Sequence, residues 1–92
     1  MIKKYKLYRY EIYIFRTKII TEYVLTFNID DSNDLIYSLC REEFGKCFSY
    51  ESKLIKSMNK KEAKVLYDKG EYRNRPIIIL NDTEDELYGW FW

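Results

Sequence analysis

The residues able to do chemistry in this 92-residue chain are few, and histidine is not among them. They are two cysteines, Cys40 and Cys47, an acidic pair, Glu42 and Glu43, and a denser acidic run, Asp82, Glu84, Asp85 and Glu86. Histidine is the commonest general base near neutral pH and the commonest metal ligand. Its absence removes Ser-His-Asp triads, Cys-His dyads and most zinc sites. Two cysteines supply at most half of a zinc site. The glycines Gly45, Gly70 and Gly89 stand alone, so no glycine-rich loop is available to cradle a phosphate. Carboxylate-only, metal-assisted phosphoryl chemistry on one of the acidic clusters is the catalytic reading that survives. Each cluster reads more simply as a solvated helix surface and a polar turn. The sequence therefore points to a protein that is not an enzyme, with no catalytic residue, no metal and no cofactor.

Binding is better represented. The acidic run leads directly into Tyr88, Trp90, Phe91 and Trp92, and Trp and Tyr are enriched at interface hot spots. Asp82, Glu84, Asp85, Glu86, Tyr88, Trp90 and Trp92 are the predicted contact patch for a partner protein. An acidic patch of this kind could also occupy a basic, phosphate-binding groove on that partner. The competing structural reading is that these aromatics complete a thin core.

A second binding reading rests on the opening segment, "KKYKLYRYEIYIFRTK", where Lys3, Lys4, Lys6, Arg9, Arg16 and Lys18 face only Glu11 as a counter-charge. Single-strand nucleic-acid binders combine basic grooves with stacking aromatics. Alternation, however, puts Tyr8 and Tyr10 on an apolar face, where they would be core and not a stacking platform. No ribonucleoprotein, zinc-finger or helix-turn-helix pattern accompanies the basic residues. A basic beginning and an acidic end also permit two-fold self-association, so a homodimer is compatible with the charge layout.

The totals bound these alternatives. The length is that of one small α+β domain, residues 1–92, with a thin core. A content of 47% hydrophobic and 18% aromatic residues excludes intrinsic disorder. A net charge of +1 argues against a strongly basic nucleic-acid binder and against wholesale nucleic-acid mimicry. No run approaches the roughly 18 apolar residues of a membrane span. Arg9 and Glu11 interrupt any signal-peptide apolar region. The two cysteines then read as reduced thiols in a cytoplasmic protein. Abundant Lys, Ile, Tyr, Asn and Phe, with little Gly, Pro or Ala, suggest an A/T-rich genome. Small size, that composition and no catalytic apparatus are the profile of an accessory or inhibitory protein of a phage or mobile element that binds a host protein, acting in the host cytoplasm. Anti-CRISPR proteins are such a class by type, although no motif of theirs is present.

The positioning elements follow from periodicity. Residues 5–29 alternate with strand-favouring residues and predict a hairpin. A turn at Thr17-Lys18 would pair Arg16 with Ile19, Ile12 with Tyr23, Tyr10 with Leu25 and Tyr8 with Phe27, gathering one apolar face. A helix follows, capped by Asp31 or Ser32, with Asp34 in its first turn, an apolar stripe of Leu35, Ile36, Leu39 and Cys40, and Gly45 as its stop. A third strand turns Phe48, Tyr50 and Leu54 inward. Asn59 and Glu62 have capping-box spacing and open a second helix that ends at Gly70. "RPIIIL" reads as a strand. "LYGWFW" reads as a last strand after a turn, although Thr83 and Glu86 also have capping-box spacing. The predicted fold is α+β, β-β-α-β-α-β-β, with a mostly antiparallel sheet of about five strands and two helices packed on one face.

Overall fold

The computed structural model describes residues 4–88. Its fold is α+β: a five-stranded, mixed, mostly antiparallel sheet with three helices. The sheet order is β3-β1-β2-β5-β4, where β1 is Tyr5–Ile14, β2 Thr17–Thr26, β3 Ser49–Met58, β4 Glu71–Tyr72 and β5 Arg75–Ile79. The strand β5 lies parallel to β2, and every other pairing is antiparallel. The helices are α1 (Ile29–Phe44), α2 (Lys60–Lys69) and α3 (Asn81–Tyr88). None of the described helices is long and apolar enough to cross a membrane.

The first hairpin forms, but in a different register. Its turn falls at Phe15 and Arg16, whose φ values of 48° and 71° are those of a two-residue hairpin loop. Tyr8 therefore pairs with Val24, not Phe27, and Ile12 with Ile20, not Tyr23. From Ile20 onward the shift is three residues, and an odd shift turns those β2 side chains to the other face; next to the turn a bulge between Ile12 and Tyr13 makes it four. The physical reason lies in the helices. The predicted register loads apolar residues on one face, which suits a sheet covered on one side. Here both sides are covered, so both faces need apolar residues.

Accordingly the helices divide between the faces, where two on one face were expected. On one side Ile36 and Cys40 of α1 bury with Tyr8, Tyr10, Ile12 and Val24. On the other, Ala63 of α2 and Leu87 of α3 bury with Tyr5, Leu7, Tyr23, Leu25 and Met58. Phe48, just before β3, and Tyr50 within it pack towards α1 as expected, but Leu54 is 46% exposed. A bulge there pairs Leu7 with Lys56 and Tyr8 with Leu54. Ile55, the extra residue, packs on the opposite cluster.

Caps set the helix ends. Asn28, not Asp31 or Ser32, caps α1, its side chain accepting from the Asp30 amide at 2.9 Å. Asp30 and Asp31 then occupy the first turn, favourable at the positive dipole end, and Ser32 is freed to enter the core. Asn59 caps α2 by accepting from the Glu62 amide at 2.9 Å. Gly70, at φ 72°, closes α2 in the left-handed conformation that glycine adopts without penalty.

The predicted turn over residues 81–86 is a helix instead, and it takes in Leu87 and Tyr88; the rest of the predicted last strand lies outside the described residues. α3 starts at Asn81, two residues before Thr83, so the Thr83–Glu86 capping box does not form. Thr83 and Leu87, one turn apart, face inward and are 1% and 0% exposed. A helix this short is marginal alone; burial of Leu87 holds it. The fifth strand of the sheet is the two-residue β4, joined to β5 through Arg73 and Asn74, both at positive φ.

Candidate functional site

The acidic patch is built on α3. With Thr83 and Leu87 facing the sheet, Asp82 and Asp85 fall on the opposite side, three residues apart and exposed. Glu84 and Glu86 lie on the flanks and are half-buried. The Tyr67 hydroxyl of α2 donates to Glu84 Oε1 at 3.4 Å. Glu86 lies close enough to Tyr5 for its charge to reinforce burial in pushing the phenol pKa up. The last turn of α3 carries no basic residue. The four acids therefore share one short helix, two of them tied to neighbours and two open. The side chain of Tyr88, together with Trp90 and Trp92, lies outside the described residues.

The basic residues of the alternative reading do not converge. Lys4 is exposed just before β1, and Lys6 is half-buried near its start. Arg16 and Lys18 are exposed at the far end of the hairpin, about 30 Å away along a ten-residue strand. Arg9 is half-buried and its Nε lies 3.5 Å from Glu11 Oε1. Glu11 in turn accepts from the Tyr13 hydroxyl at 3.0 Å. Lys3 lies outside the described residues. Tyr8 and Tyr10 are buried, as expected, but beside Val24 and Glu22 and not Phe27 and Leu25.

Tyr10 anchors a polar network that the sequence did not announce. Its hydroxyl donates to Asn33 Oδ1 at 2.6 Å and accepts from Ser32 Oγ, whose single proton is shared with the Ile29 carbonyl 3.0 Å away. Burial is the main force raising the Tyr10 pKa, and the Ser32 hydrogen bond opposes it. This network fixes the first turn of α1 to the sheet.

At the other end of α1 the packing opens into a cleft of about 340 Å³. Ile12, Ile20, Ile36 and Ile78 line it, with Glu22 from β2 and Glu43 from α1. Cys40 also lines it, and burial, then Glu43 and Glu22, push its thiol pKa up. A thiol so placed is poorly ionised at neutral pH and is a weak nucleophile. Cys47 is exposed, and both cysteines are free thiols. Among the described residues no group of three or more Cys, Asp or Glu side chains is placed to hold a metal ion.

Sequence reading missed this cleft because the assumed register put Glu22 on the outer face. One signal was available: Glu22 interrupts the run Ile19–Phe27 with the only charge inside it. No family model matches the chain, and neither a curated protein nor a solved structure is detectably similar to it.

Proposed function

We propose that the protein is a non-catalytic protein-binding module that presents the acidic outer side of α3 to a basic surface of its partner. One observation carries this reading: Thr83 and Leu87 anchor α3 while Asp82 and Asp85 remain exposed, with no basic residue in its last turn to neutralise them. A rigidly held acidic surface steers and selects a basic partner through electrostatic complementarity. Size and A/T-rich composition support an accessory or inhibitor protein of a phage or mobile element, with a host protein as the partner.

The test is a double charge reversal, Asp82→Lys with Asp85→Lys. Both side chains are exposed, and the main cost is a cation in place of Asp82 at the positive end of α3, so the melting temperature should fall by no more than about 8 °C. Proteins retained from the host lysate by immobilised wild type should be lost from the variant. Retention by both alike would refute α3 as the contact surface. The alternative, single-stranded nucleic-acid binding through the hairpin, calls for salt-sensitive retention of single-stranded RNA or DNA in a filter assay.

A further inference from the structure

We propose that the cleft beneath the C-terminal half of α1 is a binding site for a small organic amine, with its hydrocarbon body against Ile12, Ile20, Ile36 and Ile78 and its ammonium group between Glu22 and Glu43.

The volume, about 340 Å³, falls in the range of small-molecule sites, and the walls have the composition of one: mostly apolar, with a few polar groups converging. The position of Glu22 is the informative feature. On β2 it stands between Ile20 and Val24 on the face that α1 covers, opposite Tyr10 of β1. A charge on a covered sheet face is costly unless it is paired. Yet among the described residues no hydrogen bond or ion pair reaches its carboxylate.

The charges facing Glu22 come from two sides. Arg75 on β5 attracts it from a distance, but that guanidinium is engaged with the Thr21 carbonyl at 3.3 Å. Glu43 on α1 repels it, and Glu42 adds a further carboxylate at the rim. Burial raises the Glu22 carboxyl pKa, Arg75 opposes that, and Glu43 adds to it. Two carboxylates that line one cleft beside isoleucine walls, and repel each other there, are relieved by a cation bound in it. The walls select a cation that carries a hydrocarbon body. A bare metal ion would leave the apolar walls empty, and the surrounding side chains are not arranged to ligate one.

The experiment is a methyl NMR titration of the full chain with phenethylammonium, and separately with phenylacetate, which offers a similar ring and the opposite charge. Saturable shifts should concentrate on the methyls of the four isoleucines. Phenethylammonium should bind at least about tenfold more tightly than phenylacetate. Glu22→Gln should reduce that preference to within about twofold. The proposal falls if phenethylammonium gives no saturable shift at these methyls, if phenylacetate binds equally well, or if Glu22→Gln keeps the preference. Should Glu22→Gln fail to fold, Glu43→Gln, at an exposed position, provides the same comparison.

Discussion

The two faces of the sheet are closed in different ways. On the side of α2 and α3 two helices share the cover, and Leu7, Leu25, Ala63 and Leu87 have no measurable exposure. On the side of α1 one helix spans the face. Its first turns are held through Tyr10, Ser32 and Asn33, and its last turns stand over a cleft lined by Glu22, whose carboxylate has no hydrogen bond or ion pair among the described residues. The same central strands, β1 and β2, supply both faces. The difference teaches that a thin domain can put its stability on one side and leave the other partly open for binding. The closed side relies on apolar fit; the open side uses hydrogen bonds at one end and leaves a charge exposed to a cleft at the other.

The sharpest way to break the contrast is to truncate the closed face. Leu7→Ala removes a fully buried side chain from between two helices and the sheet, and should cost about 2–5 kcal/mol in denaturant unfolding. Ile20→Ala, at the half-buried lip of the cleft, should cost under about 2 kcal/mol because solvent already reaches the site. Equal costs would mean that the faces are closed alike.

A smaller loss is expected from Tyr10→Phe. It strips the network at the start of α1 and leaves the buried Ser32 hydroxyl with only the Ile29 carbonyl, a cost of about 1–2 kcal/mol. Amide exchange in the first turn of α1 should quicken, while α2 and α3 stay protected.

The smallest effect has the opposite sign. Because the folded-state pKa of Glu22 is raised, the native state holds its proton to higher pH than the unfolded state does. Ionisation is therefore penalised, and stability falls as pH rises through the window between the two pKa values. Glu22→Gln removes that penalty and should raise the melting temperature slightly at about pH 7. The gain should vanish at about pH 3, well below the ordinary glutamate pKa, where the carboxyl is protonated in both states. A lower melting temperature at neutral pH would show that Glu22 contributes to the fold and does not burden it.

Much of the architecture is legible in the residues themselves. Alternation marks residues 5–29 as a hairpin, and Asn59, Glu62 and Gly70 mark both ends of α2, because caps and periodicity are local physics. The class, α+β with a mostly antiparallel sheet of five strands, follows from the order of such elements. The misreadings share a cause. The register of β1 against β2, the division of helices between faces and the identity of residues 81–88 each depend on what lies across the fold. Thr83 reads as part of a turn and Leu87 as the start of a strand until a sheet is placed beneath them.

The candidate sites divide along the same line. The acidic run of α3 is visible in sequence because it is contiguous, and so is the lack of histidine that narrows the chemistry. Which acids point outward is decided only when Leu87 docks. The cleft under α1 is assembled from β1, β2, β5 and α1 and has no contiguous signature. Sequence by itself determined composition, the two caps of α2, periodicity and fold class, since these rest on interactions within a few residues; the start of α1 falls three or four residues earlier than its capping candidates, Asp31 and Ser32, suggest. Only the tertiary structure decided the register and the setting of Glu22. In a strand each residue has two faces to choose from, and the choice is made by the helix that arrives to cover one of them.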